Sequence, residues 1–327
     1  MKAILVNGDR SLRWDEVEDP VLGDDDCLVK IEAAAINRAD LMQREGDYPP
    51  PPGCPDWMGL EIAGTIVAVA DGAGKKSKWQ VGDRVCALLG GGGYAQYAAV
   101  RYDMLMPIPA NCTAVEAAAM PEAFATAYLN LFIEGNIKAG DTLLMCAGAS
   151  GLASVVIPMA KAFGVRVITT VRTEKKAERI RHLHADRVVV TENEDIAAVL
   201  KEELESGHGV DVAIDCVGGE EMGRCLPFLS HGARWIMIAA LGGKMTEIDL
   251  KNIYVRNVRI IGSTLRSRPP QMKAQILAAL VRDVWPKVAA GEIRPTIYAV
   301  LPITDAEKAQ DMLYRSENVG KVVLTVE

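Results

Sequence analysis

From about residue 141 to residue 261 the chain alternates short, predominantly apolar runs with segments of helical character, and few folds accommodate that rhythm. The apolar runs fall at 141–146, 165–169, 188–190, 210–216, 233–238 and 258–261. A strand with one solvated face alternates polar and apolar residues, whereas continuous apolar runs suit parallel strands covered on both faces. The segments 152–163, 173–183 and 196–205 read as helices, the first closed by Gly164. Strand and helix alternating at this spacing imply right-handed βαβ crossovers. Six such strands make a complete doubly wound α/β sheet of the dinucleotide-binding type.

The first turn of this region supports a ligand there. Gly148, Ser150, Gly151, Leu152 and Ala153 follow the first strand and open the first helix, and no side chain larger than Ser occurs before Leu152. Small residues let backbone N–H groups approach a pyrophosphate, and the helix N-terminus adds positive potential. A strand–turn–helix setting is what gives such a short motif its weight. Pro158 inside this helix predicts a bend. The second strand ends in Thr169-Thr170-Val171-Arg172-Thr173-Glu174-Lys175-Lys176. A site for the ribose of NAD places an acid at this strand end; here there is none, and Arg172, Lys175 and Lys176 follow. Cations suit a 2′-phosphate, so Arg172, Lys175 and Lys176 point to NADPH. The other reading of Lys175 and Lys176 is a solvated helix face.

Residues 1–120 have a different texture. Strands are expected at 3–6, 27–34, 61–70, 84–89 and 94–100, separated by Gly, Pro and Asp. The run YPPPPGCP at 48–55 lacks donors and must be a stiff surface loop. Thr113 and Glu116 have capping-box spacing ahead of an Ala-rich helix, which Pro121 interrupts and Gly135 ends. Pro269 and Pro270 precede a long helix at 271–290. A second capping box at Thr304 and Glu307 opens a short helix, and a strand follows at 321–326. These last elements leave the βαβ rhythm and read as completing the first domain. The division expected is therefore 1–120 with 292–327 as a discontinuous β-rich domain, and 121–291 as the cofactor domain.

Bulk properties exclude several classes. At 327 residues two domains are expected, and 5% aromatic content means aliphatic cores. A net charge of −7 argues against nucleic acid, which needs a basic face. No stretch is long and apolar enough to span a membrane, and the N-terminus lacks signal-peptide features. The 7 cysteines are scattered without a CxxC pair, as in reduced cytoplasmic proteins.

Several segments, in order and at family spacing, carry a resemblance: 37–48 (NRADLMQREGDY), 59–64 (GLEIAG), 82–85 (GDRV), 93–97 (GYAQY), 121–128 (PEAFATAY), 265–268 (LRSR) and 318–321 (NVGK). With the Gly148 turn they resemble, over the whole chain, the zinc-free quinone oxidoreductase (zeta-crystallin-like) branch of the medium-chain dehydrogenase/reductase superfamily. The resemblance implies a GroES-like catalytic domain joined to a six-stranded Rossmann domain, a cofactor in the cleft between them, and a homodimer or homotetramer. It also implies Thr126 near the nicotinamide, with Gly218, Ala240, Leu241, Gly242, Ser263, Leu265 and Asn318 lining the rest of the cofactor. Asn37, Asp40 and Tyr48 are implied to face the substrate. Ala153 stands where a third glycine is commoner. Thr191 stands where relatives have a phosphate-contacting Tyr, which shifts weight onto Arg172 and Thr173.

No metal is expected. His182, His184, His208 and His231 all fall in the cofactor half, and Leu60 precedes Glu61 where zinc alcohol dehydrogenases carry a ligand His. Glu61 is left a structural role. Without a Lewis acid, alcohol oxidation lacks its usual help, whereas a quinone or activated enone accepts hydride to give a stabilised anion. Tyr48 then donates a hydrogen bond or proton to the acceptor oxygen, or only packs. Asn37 and Asp40 order the pocket and hold Tyr48 or a water rather than do acid–base chemistry. Gly90–Gly93 lets the backbone approach the nicotinamide, or is a flexible turn. Cys54 has no base in view. Three functions share this sequence: an NADPH:quinone reductase, an NADPH-dependent alkenal or enone reductase, and a non-enzymatic NADPH-binding protein.

Overall fold

The computed structural model describes residues 1–327. Seven strands come first: β1 (Lys2–Val6), β2 (Leu12–Glu16), β3 (Asp26–Ala35), β4 (Glu61–Val69), β5 (Arg84–Leu88), β6 (Tyr97–Arg101) and β7 (Leu105–Pro107). Six more follow: β8 (Thr142–Met145), β9 (Arg166–Val171), β10 (Arg187–Val190), β11 (Val210–Asp215), β12 (Leu229–Met237) and β13 (Arg259–Gly262). Last come β14 (Ile297–Pro302) and β15 (Lys321–Thr325). The chain divides into two compact units, Met1–Ala125 with Arg266–Glu327, and Thr126–Leu265.

The first unit is built on a seven-stranded sheet in the order β14-β15-β3-β4-β5-β7, with β6 also paired to β3. Strand β15 hydrogen-bonds antiparallel to β3, with Leu324 opposite Ala34, so the C-terminal strand completes a sheet begun by the N-terminal half. Inward side chains such as Val29, Ile31, Ile62, Ile66 and Val322 form an aliphatic core around Tyr94. Each fully buried aliphatic side chain contributes about 1.5–3 kcal/mol.

Some elements differ from what the sequence leads one to expect. The helix Arg38–Glu45 was not legible because its sequence, RADLMQRE, buries only Asp40 and Leu41. It is defined by its ends: the Asp40 carboxylate accepts the Asn37 N–H at 2.7 Å, and Gly46 closes it with φ 87°. The Thr113–Glu116 capping box forms. The one expected at Thr304 does not. Asp305 is the N-cap, and Glu307 pairs with Arg44 instead, an ion pair that outweighs one backbone hydrogen bond. The long helix expected at 271–290 breaks at Val284 into Pro270–Asp283 and Trp285–Ala289, where Pro286 has no N–H to continue the ladder.

Residues 266–291, expected with the cofactor domain, group with the first unit instead. The reason is packing: Trp285 meets Phe124 edge-on at 5.9 Å and donates to the Pro107 carbonyl at 2.8 Å. Asn111 donates to the Val288 carbonyl at 2.9 Å. The βαβ rhythm ends after β13, and the next helix follows its apolar face rather than its neighbours in sequence.

The second unit is a six-stranded, all-parallel sheet in the order β10-β9-β8-β11-β12-β13. The chain starts at central β8, moves outward to β10, then crosses to β11 and continues to the other edge. Strands β8 and β11 therefore flank a topological switch point, where open parallel sheets bind ligands beyond the strands' carboxyl ends. Leu144, Ile168, Val189, Ala213 and Trp235 fill one side of this sheet. Pro158 lies inside the helix Ala153–Ala162 without ending it. No helix of the protein is long and apolar enough to cross a membrane.

Candidate functional site

In the second unit the residues expected at the cofactor, Thr126 apart, follow the carboxyl ends of β8, β9, β11, β12 and β13. After β8, the Gly148 N–H donates to the Thr170 carbonyl at 2.7 Å and the Ala147 N–H to Thr170 Oγ1 at 3.1 Å. Ser150 Oγ accepts from the Ala153 N–H at 3.1 Å and so serves the first turn of Ala153–Ala162. A Cβ on Gly148 would stand 2.4 Å from Thr169 Oγ1. This glycine is thus required by the packing of the turn on β9, whether or not a ligand approaches. Gly148→Ala should break the Thr169–Met145 hydrogen bond (2.7 Å) and lower stability by about 1–3 kcal/mol. Urea unfolding measures this, and an unchanged midpoint would contradict it.

After β9, Arg172 is exposed and Thr173 caps the helix Glu174–Arg179, its Oγ1 accepting the Lys176 N–H at 3.3 Å. The Lys176 ammonium is held below its ordinary pKa first by burial, then by the charges of Arg172 and Arg179. Three cations therefore share one strand end. Arg179 was not anticipated, although its spacing of three behind Lys176 on a helix places it on the same face. Glu174 lies in the helix's first turn and accepts from Asn193 Nδ2 at 3.2 Å. Thr191 is exposed at the end of β10.

After β11, buried Asp215 organises the next loop. Its Oδ1 accepts the Val217 and Gly218 N–H groups at 2.7 and 3.0 Å, and its Oδ2 accepts Trp235 Nε1 at 3.1 Å. Gly218 sits at φ 64°, where a Cβ would lie 2.8 Å from the Gly243 carbonyl, so only glycine fits. Leu241 and Gly242 donate to the carbonyls of Cys216 and Val217 at 3.1 and 2.8 Å. Ala240 and Leu241 are exposed. Beyond β13, Leu265 is buried, and so is Ser263, whose Oγ has no hydrogen-bond partner. Thr126 is half-buried in the helix Pro121–Tyr128, its carbonyl accepting from Asn130 Nδ2 at 2.8 Å. An orphaned hydroxyl, glycine-containing turns and a cluster of cations beyond the strand ends fit an elongated anionic dinucleotide.

In the first unit Asn37 and Asp40 both turn inward. Asn37 Nδ2 donates to Glu61 Oε1 at 2.9 Å, while its Oδ1 accepts from Lys321 Nζ at 2.7 Å. Lys321 also lies 2.6 Å from Glu61 Oε1, and Glu61 Oε2 accepts the Glu122 N–H at 2.9 Å. Glu61 thus has the structural role expected of it, tying together β4, β15 and the start of the helix Pro121–Tyr128. The part played by Lys321 was not anticipated; a lysine opening an otherwise apolar strand was the signal. Asn318 uses its amide on the Gly320 carbonyl at 2.7 Å.

Asp40 is fully buried. It accepts from the Asn37 N–H, from the Tyr94 hydroxyl at 2.9 Å and from the Gly59 N–H at 3.1 Å. It therefore anchors Tyr94 and Gly59 rather than Tyr48. Burial pushes its carboxyl up to about 6, against the pull of those hydrogen bonds and of Lys321. Because an unfolded Asp titrates near ~3.9, the folded state binds this proton more tightly. The stability Asp40 contributes is full below about pH 4 and falls by roughly 3 kcal/mol as pH rises through the folded value. The Asp40 carboxyl carbon followed by NMR should titrate near pH 6; a midpoint close to that of a free Asp would contradict this.

Tyr48 lies at the start of the proline-rich loop, with the guanidinium carbon of Arg266 4.3 Å from its ring centroid. The four histidines all fall within the second unit. No group of three or more His, Cys, Asp or Glu side chains is placed to hold a metal ion.

A doubly wound sheet with a small-residue turn after its first strand, in one chain with a discontinuous β-rich unit, is the architecture of a nicotinamide-dependent oxidoreductase. Comparison with known proteins agrees. Residues 23–110 match the alcohol dehydrogenase GroES-like domain family, and residues 151–282 the zinc-binding dehydrogenase family. A quinone oxidoreductase-like protein 2 homolog of Nematostella vectensis is 30% identical over 307 residues, covering 93% of this chain and 82% of that protein. A highly reducing polyketide synthase of Emericella nidulans is 28% identical over 326 residues, 97% of this chain, yet the chain spans only 12% of the synthase. A mycobacterial protein solved in complex with NADPH has a TM-score of 0.85 at 26% identity, covering 99% of this chain and 100% of that one. The chain belongs to the medium-chain dehydrogenase/reductase superfamily, in its quinone oxidoreductase branch.

Proposed function

We propose that the protein is an NADPH:quinone oxidoreductase that reduces a small quinone without a metal. The observation that carries the choice of nucleotide is the cluster of Arg172, Lys176 and Arg179 beyond β9, at a strand end without an acid. The Thr173 hydroxyl accepts from the Lys176 N–H and remains able to donate its own proton to a phosphate oxygen. When bound, NADPH supplies the hydride. Gly148, Ser150, Gly151, Leu152 and Ala153 take the pyrophosphate at the helix N-terminus. Gly218, Ala240, Leu241, Gly242, Ser263 and Leu265 line the remainder with Thr126, and the orphaned Ser263 Oγ is a donor awaiting an acceptor. Asn318 is assigned to the cofactor by family alone, and its amide is committed to the Gly320 carbonyl.

On the acceptor side Tyr48 donates to the acceptor oxygen as negative charge develops there. Asn37 and Asp40 do no acid–base chemistry. They fix the N-terminal end and the inner face of Arg38–Glu45, the helix that leads into the Tyr48 loop. A small uncharged quinone suits the overall acidic balance. The seven free thiols suit a reducing cytoplasm, and a homodimer or homotetramer is proposed by family.

The deciding experiment is NADPH oxidation by the purified protein with 1,2-naphthoquinone, with NADH and an alkenal as controls. Fast turnover with NADPH and the quinone supports the proposal. Turnover with the alkenal alone moves the protein to the double-bond reductases. Tight NADPH binding without turnover leaves a binding protein.

A further inference from the structure

The loop carrying Tyr48 has little of the regular hydrogen bonding that holds a helix or strand, so something else must fix it. Residues 48–56 contain five prolines and belong to no helix or strand. The Arg266 guanidinium reaches them from the far end of the unit's sequence. Its Nη1 donates to the Tyr48 carbonyl at 3.3 Å, and its Nη2 donates to the Gly90 carbonyl at 2.9 Å and to Gln43 Oε1 at 3.1 Å. The same group lies over the Tyr48 ring. Gln43 in turn donates from Nε2 to the Asp56 carbonyl at 2.9 Å, which ties down the loop's other end. One planar cation thus joins the C-terminal turn of Arg38–Glu45, both ends of the proline loop and the glycine turn at Gly90.

Arg266 is held for this and little else. It makes no ion pair with a carboxylate; its charge is met by carbonyl oxygens and a ring face. Its Nε is buried without a partner. The Lys273 ammonium donates to the Arg266 carbonyl at 2.7 Å and so steadies the backbone from which the guanidinium extends. Lysine could not replace this fork, because a single nitrogen cannot span acceptors that Arg266 reaches from Nη1 and Nη2 and also cover the ring.

We propose that Arg266 is the positioning residue for Tyr48: it fixes the ring and its loop so that the phenol hydroxyl, left at the ring edge, is directed at the acceptor. This rests on the role given to Tyr48 in the proposed reaction. Sequence alone assigns Arg266 nothing beyond membership of the LRSR segment.

Two measurements on the full chain test it together. The first is a double-mutant cycle of Arg266→Gln and Tyr48→Phe, with Arg266→Lys alongside, read as kcat and KM for 1,2-naphthoquinone and KM for NADPH. The second is the labelling rate of Cys54 by a thiol reagent, mapped by mass spectrometry. Cys54 Sγ sits against the Gly90 backbone, 2.5 Å from where a Cβ would be, so it reports whether the loop stays seated. Arg266→Gln should lower kcat by about tenfold with little change in KM for NADPH. In the Tyr48→Phe background the same change should cost less than about twofold. Arg266→Lys should not restore activity, and Cys54 should label several-fold faster in both Arg266 variants. An equal loss of kcat in both backgrounds, or unchanged Cys54 labelling, would overturn the proposal. If wild-type protein does not turn over the quinone, the reaction itself falls and the positioning role with it, an outcome distinct from normal turnover without coupling. If the Gln variant does not fold, the Lys variant carries both readouts.

Discussion

Lys321→Met is expected to cost the first unit about 3–5 kcal/mol. Glu61 is completely buried, and Lys321 is 4% exposed. Without the ammonium, the Glu61 carboxylate keeps only the Asn37 amide and the Glu122 N–H, and an uncompensated buried charge is what makes such a deletion severe. A domain commonly has about 5–15 kcal/mol in hand, so most of the margin is removed. Urea unfolding followed by tryptophan fluorescence reads this directly, because Trp14, Trp57, Trp79 and Trp285 lie in the first unit and only Trp235 in the second. The double variant Glu61→Gln with Lys321→Met should recover most of the loss, since removing both charges also removes their desolvation cost. A midpoint for Lys321→Met within about 1 kcal/mol of wild type would mean that water reaches the pair.

The same cluster shows what the sequence could and could not disclose. The six parallel strands were legible because each is a short, predominantly apolar run, a pattern that depends only on local composition. The Gly148 turn was legible because its position after the first strand restricts its use. The roles of Asn37 and Asp40 were not, since their direction depends on Lys321 and Tyr94, far away in sequence. The side chains of Asn37 and Asp40, implied to face a substrate, are committed to buried partners. The placement of 266–291 was hidden for a related reason. A helix between two domains carries no local mark of which it packs on, and the answer lies in Trp285 meeting Phe124. Asp215 escaped notice because an acid at the end of an apolar strand looks like the start of a loop. Its task of accepting Val217 and Gly218 appears only when the loop is folded back.

Arg172→Ala combined with Lys176→Ala is expected to weaken NADPH binding by roughly 100-fold while leaving NADH within about threefold. Each charge-assisted hydrogen bond to a phosphate contributes about 1.5–3 kcal/mol, and exposure of Arg172 places its share toward the low end. Removing two such hydrogen bonds together costs about 3 kcal/mol, close to that factor. Lys176 is the sharper probe of the two. Burial and the neighbouring Arg172 and Arg179 favour its neutral form, whereas a bound 2′-phosphate favours the ammonium. NADPH binding should therefore take up protons at alkaline pH and weaken as pH rises, and NADH binding should not. Calorimetric titration of both nucleotides in buffers of different ionisation enthalpy measures the affinity and the proton count in one experiment. An equal loss for the two nucleotides would place these cations on the pyrophosphate, where they cannot discriminate. No loss for either would make them a solvated helix face, and the case for NADPH would then rest on the missing acid after β9 alone.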